Sequence, residues 1–318
     1  MPDEWVGAML DGAFERAWEI SDRVLRERQG RSCADLPHHL RWVWDGTPLV
    51  GRRVLVRCYH GLGDTLQFIR FVPQVAAVAR AVIVEAQPAL LPLLRSVCPE
   101  AEYHPLDADL PAWEVAVESM ELPHALRIAP AELPGRIPYL RPPAECMGRR
   151  QADRDGPGRR RVGLVWAAGN WRRERSIPAA LLLPLARLPL DLVGLQQGPS
   201  REDRAAAGLV GALCGMVPAS ATIAETAALI CQLDLVVTVD TMAAHLAGAL
   251  GRPVWTLLDA EADWRWMRHR SDSPWYPTMR LFRQERPGLW GPVIERLTAA
   301  LAHEAAGRNE SGRRPVER

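Results

Sequence analysis

Residues 52–71 read RRVLVRCYHGLGDTLQFIRF. An apolar run (52–58) of strand character gives way to a glycine turn, and helix-like spacing follows from Asp64. A glycine-rich strand-to-helix turn usually cradles a phosphate. Here the dinucleotide pattern G-x-G-x-x-G fails, because Leu66 stands where the third glycine belongs. The P-loop fails as well, for want of Gly-Lys-Ser/Thr. A carboxylate at the helix start would repel a phosphate. Asp64 therefore points to proton chemistry or a hydroxyl-bearing ligand.

Outward from this turn, strands and helices alternate. Strand character appears at 81–86, 103–106 and 115–120, with helical patterns at 64–79 and through PALLPLLRSV. After a charged, glycine-rich stretch at 146–161 the alternation restarts. Strands are expected at 161–166, 191–196, 235–240 and 253–258, and helices at 178–188, 222–233, 241–250 and 291–304. Short apolar runs separated by helices imply parallel sheets covered on both faces. The fold class is α/β, with two doubly wound units joined by a linker and a ligand cleft between them. In such sheets ligands bind beyond the carboxyl ends of the strands, and Asp64 stands at such an end. The expected divisions are a helical extension over 1–45, a first domain over 46–150, a second over 151–306 and a disordered tail over 307–318. The extension repeats apolar residues at helical spacing, split near Asp11-Gly12. Such helices suit protein contacts.

The chain has 318 residues, enough for two domains. Its net charge of +1 gives no case for nucleic acid or an anionic membrane. No apolar stretch reaches membrane-span length, and the acidic N-terminus lacks a signal-peptide core, so a cytoplasmic protein is expected. The six cysteines are scattered without a C-x-x-C pair, which reads as reduced, mostly buried thiols and no metal site.

A second constellation, TVDTMAAHLAGALGRPVW (238–255), puts Asp240 and Thr241 at a strand end and a helix start. Either caps the helix, and the amides behind them suit a phosphate. His245 follows one turn later, as a ligand contact or as a buried histidine.

The GLGD turn, the V-D-T-x-x-x-H segment with its small-residue helix, WDG (44–46), RSIP (175–178) and DWRW…SPWYP (263–277) together resemble glycosyltransferase family 9. These are the ADP-heptose:lipopolysaccharide heptosyltransferases, and the likeness is closer to the related domains found behind tetratricopeptide repeats. The resemblance implies a GT-B fold, two Rossmann-like domains facing across a cleft, with inversion at the sugar and neither metal nor cofactor. It implies a nucleotide-diphosphate sugar donor and a glycan, lipid-linked or protein acceptor.

It also implies roles for individual residues. Asp64 is the base for the acceptor hydroxyl, with Gly61 and Gly63 against the substrate; its plainer role is a helix cap. His60 is a second base, an acceptor contact or a local structural residue. Asp240 and Thr241 meet the donor's sugar and diphosphate. Met242 departs from the family's glycine and puts ADP-heptose itself in question. Arg175 takes the place of the family lysine at the diphosphate, Asn170 and Gln196 lie near the donor, and His245 matches the family histidine. Arg172 and Arg173 read as solvated loop charges, and the tryptophans of 263–277 as packing. The rival readings are a nucleotide-sugar epimerase and a catalytically degenerate binding or assembly module.

Overall fold

The computed structural model describes residues 2–33, 35–36, 42–147, 159–169, 172–198 and 207–311. The chain forms two units, one of Met1–Arg141 with Asp263–Pro277 and the other of Pro142–Ala262 with Thr278–Arg318.

The first unit opens with helices α1 (Pro2–Leu10) and α2 (Phe14–Arg28). Strand β1 (Arg53–Cys58) follows, then α3 (Leu62–Phe68) and α4 (Val72–Ala76). The expected single helix over 64–79 is broken by a 3-10 turn at Ile69–Phe71. Pro73 has no N–H to offer the carbonyl of residue 69, so the α-helical ladder lapses there. Next come β2 (Ala81–Ala86), α5 (Leu91–Leu94), β3 (Glu102–Pro105), β4 (Val115–Glu118) and α6 (Leu122–Ala125). The sheet has the order β3-β2-β1-β4 with every pairing parallel. Its order reverses between β1 and β4, which makes the carboxyl ends of those two strands the switch point where a ligand settles.

The second unit contains β5 (Arg160–Val165), β6 (Leu190–Gly194), α7 (Ala207–Gly211), β7 (Gly215–Met216), α8 (Ile223–Ile230), β8 (Leu235–Val239), α9 (Met242–Ala249), β9 (Val254–Leu258), β10 (Met279–Arg283) and α10 (Gly291–Ser311). The strand order is β10-β9-β8-β5-β6-β7, again all parallel, with its switch point between β5 and β8. One sheet face packs Val162, Leu164, Val237 and Leu257 against Leu182, Leu185 and the Val293–Leu297–Leu301 stripe of α10. The helix expected at 178–188 is a 3-10 stretch, Ala179–Arg187, with Pro184 inside it.

The N-terminal helices form part of the first unit: Trp18 donates its indole N–H to Ile128 O (3.2 Å) and Asp22 pairs with Arg127 (2.6 Å). Their apolar face, with Met9, Phe14, Ala17 and Ile20, is buried in that unit. Helix α10 runs on to Ser311, past the point at which a disordered tail was expected, since extending a formed helix costs little compared with starting one. Strand β10 was not expected: MRLFR mixes apolar and basic residues over only five positions without a clean alternation, and its apolar members are buried. The cysteines are less buried than expected; Cys58 and Cys98 are buried and Cys214 is exposed. No helix among the described residues is long and apolar enough to cross a membrane.

Candidate functional site

In the first unit the GLGD turn sits at the carboxyl end of β1. Gly61 precedes α3, and its N–H donates to the Asp64 carboxylate at 2.9 Å. Asp64 therefore occupies the third helical position and reaches back to the turn, a placement that also suits its charge to the helix N-terminus. A Cβ on Gly61 would lie 2.9 Å from that carboxylate oxygen, so the close approach requires glycine. The turn is braced from β2's side: Gln87 donates to His60 O (2.6 Å) and accepts from Thr65 Oγ1 (2.9 Å).

The other Asp64 oxygen accepts from Arg265 at 2.5 Å. This arginine is buried, and it also donates to Asp263 (2.8 Å) and Gln67 Oε1 (2.8 Å). Its guanidinium lies over the Trp264 ring at 4.6 Å. Arg265 stands between the two tryptophans of DWRW, whose spacing points only to aromatic packing. Packing is indeed what the aromatics do, since Trp266, Trp275 and Tyr276 are fully buried. Asp64 keeps lone pairs beyond the two in use, because an ionised carboxylate offers about four.

His60 Nε2 lies 2.9 Å from Glu118 Oε1. His60 lies two residues beyond β1 and Glu118 ends β4, so the pair marks the switch point. The hydrogen bond to Glu118 raises the imidazole above its usual pKa against the opposing effect of burial. Next door, burial pushes the Glu121 carboxyl up to about 7, although it accepts from the Glu118 N–H at 3.0 Å. Both groups bind protons more tightly in the folded chain than in the unfolded one. Stability therefore falls as pH rises, through about 4.5 to 7 for Glu121 and from 6.5 upward for His60. Urea denaturation between pH 4.5 and 8 is expected to show this decline, and Glu121→Gln is expected to flatten its lower part. A parental slope in the variant would remove Glu121 as the cause.

In the second unit Thr241 caps α9, its hydroxyl accepting from Ala243 N at 3.3 Å and lying 3.2 Å from Thr238 Oγ1. Asp240, buried at the end of β8, pairs with Arg175 at 3.4 Å. Arg175 is tied to the sheet through its neighbours: Ser176 Oγ accepts from Ala168 N (3.0 Å) and Ile177 N donates to Trp166 O (2.8 Å). Arg172 is paired rather than solvated, donating to Asp259 (2.9 Å) and to Glu261 O (3.1 Å). Burial holds the Asp259 carboxyl above its usual range, while the charges of both Arg172 and Arg175 oppose the shift. Arg173 is exposed.

Gln196 is buried just beyond β6. Its Oε1 accepts from Trp166 N (3.1 Å) and Ala167 N (2.9 Å), and its Nε2 donates to Ala167 O (3.2 Å) and Gln197 O (3.0 Å). With both ends of the amide so engaged, the side chain holds the turn after β5. His245 is buried in α9, and Met242 is half-buried at its start. Gly63 lies in the first turn of α3, and Asn170 lies outside the described residues. Among the described residues no three His, Cys, Asp or Glu side chains cluster as a metal site.

Residues 194–275 match the family described as glycosyltransferase family 9 (heptosyltransferase). Protein FlbA of Caulobacter vibrioides is 28% identical over 302 residues, 83% of this chain and 48% of FlbA. The chain thus spans about half the length of this curated relative. Among solved structures, E. coli ADP-heptose LPS heptosyltransferase II matches with a TM-score of 0.53 at 16% identity, over 79% of this chain and 99% of that one. A family 9 glycosyltransferase from Veillonella parvula matches with a TM-score of 0.57 at 11% identity, over 81% and 99%. E. coli heptosyltransferase WaaC with ADP gives 0.51 at 14%, over 80% and 99%. The two parallel α/β sheets are those of the GT-B fold of these enzymes.

Proposed function

We propose, from the glycosyltransferase family 9 match and the GT-B fold, that this chain is a glycosyltransferase that takes its sugar from a nucleotide-diphosphate donor. The observation that carries this reading lies at the β5–β8 switch point. There a helix start, capped by Thr241, stands beside two arginines paired with carboxylates at neighbouring strand ends. A helix start beside guanidinium forks suits a diphosphate.

The donor is assigned to the second unit, where Arg175 neutralises the leaving diphosphate and Asp240 meets sugar hydroxyls. The acceptor is assigned to the first unit. Its hydroxyl oxygen attacks the anomeric carbon, the bond from that carbon to the diphosphate oxygen breaks, and the hydroxyl proton passes to Asp64. Attack opposite the leaving group inverts the anomeric centre. Preorganised positive charge on the departing diphosphate is the main electrostatic contribution.

A thermal-shift screen against nucleotide-diphosphate sugars tests the reading. The true donor, at about a hundred times its dissociation constant, stabilises the fold by about 2.7 kcal/mol. A screen in which no such sugar shifts the melting temperature would count against it. Transfer is also expected to survive EDTA, because arginine takes the role that a metal would otherwise fill at the diphosphate. Loss of transfer on chelation, restored by added magnesium or manganese, would reverse that part.

A further inference from the structure

Four charged groups gather at the carboxyl ends of the second unit's strands: Arg172 and Arg175 from the segment after β5, Asp240 after β8 and Asp259 after β9. Arg175 is bound to Asp240 through one terminal nitrogen, while its Nε is buried and meets no hydrogen-bond acceptor among the described residues. A buried guanidinium donor left unmet is costly and calls for an acceptor that arrives from outside. Arg172 is held by the buried Asp259 yet keeps about a third of its side chain exposed (32%). Both guanidinia act on Asp259, so the two cations share one carboxylate neighbourhood. Five donors on each arginine exceed what these two carboxylates take up.

We propose that Arg172 is a second diphosphate-binding arginine of this site, held at rest by Asp259 and turned to the ligand's phosphates when a nucleotide diphosphate enters. The inference rests on the donor site assigned above and adds a residue that the sequence left as a solvated charge. Asp259 is then a resting counter-ion. It neutralises the arginine while the site is empty and competes with the phosphates for it. One partly exposed arginine and one more deeply buried arginine together span two phosphates better than either does alone.

Isothermal titration with ADP and with inorganic pyrophosphate, at fixed low salt, tests this. Arg172→Ala is expected to weaken both ligands about ten- to a hundredfold, the scale of a lost charge-assisted hydrogen bond. Asp259→Asn removes the competing carboxylate and is expected to tighten both several-fold. Because Arg172→Ala leaves Asp259 buried without its partner, the double variant Arg172→Ala/Asp259→Asn serves as the folding control. It is expected to melt near the parent and still bind weakly. Parental affinity in the double variant would overturn the proposal. If Arg175→Ala weakens pyrophosphate and the Arg172 variants do not, the donor site stands and this inference falls. If the parent binds neither ligand, the donor site itself is wrong.

Discussion

Asp64→Asn is expected to lower transfer by roughly a hundredfold to ten-thousandfold, the usual contribution of a general base, while the protein stays folded. The substitution keeps the size of the side chain and an oxygen for the Gly61 N–H, which holds the turn. It removes the ability to take a proton at neutral pH. It also removes the charge opposite Arg265, so the melting temperature is not expected to stay at the parental value. Arg265 retains Asp263 and Gln67 as partners, and the loss of one charged hydrogen bond costs about 1.5–3 kcal/mol. A domain with ordinary stability of about 5–15 kcal/mol remains folded after that loss. The rate effect thus exceeds anything the folding equilibrium can produce. Circular dichroism and single-turnover transfer, measured on one preparation, separate the two. Transfer at the parental rate would show that the carboxylate serves the turn and the arginine alone.

Arg70→Met is expected to be the most destabilising single change in the first unit. Arg70 is buried and donates to the carbonyls of Gln67 (2.8 Å), Leu133 (2.9 Å) and Trp275 (2.7 Å), and to the Tyr139 hydroxyl (2.9 Å). Its guanidinium also lies 4.5 Å from the centre of the Tyr276 ring. Methionine fills much of the volume but offers no donor. Each buried acceptor left without its partner costs about 1–3 kcal/mol, so the sum is at least about 3 kcal/mol. In a unit of this size that lowers the melting temperature by roughly 6–12 °C. The segment 263–277 should be the first part to loosen, since Arg70 ties it to α3 and to the residues before the second unit. Hydrogen exchange at the amides of 264–276 reads this directly. Unchanged melting together with unchanged exchange would mean that those carbonyls find other donors.

Local patterns carried most of the framework. The strand-to-helix turn at Gly61–Asp64, the strand of 53–58 and the capped helix after Asp240 depend on neighbours within a few residues, and their periodicity and turn chemistry are written in short windows. The resemblance built on those motifs led to the fold that the solved heptosyltransferases share. The elements that escaped were short ones: the five residues of β10, the two of β7, and helices α6 and α7 of four and five residues are too few for a period to show.

Partnership across long stretches of chain belonged to the tertiary structure. Asp64 was legible as a carboxylate at a strand end, but its ion pair joins it to Arg265, 201 positions away. No window of sequence holds both. The same holds for the return of 263–277 to the first unit, fastened by Arg70 from 205 positions away. Arg172 read as a solvated charge because its partner, Asp259, follows a strand 87 positions later. Sequence spacing sets which residues lie on one turn or one strand face; which side chains share a buried charge is set by strand order, since parallel strands bring their carboxyl ends together only once the sheet has formed.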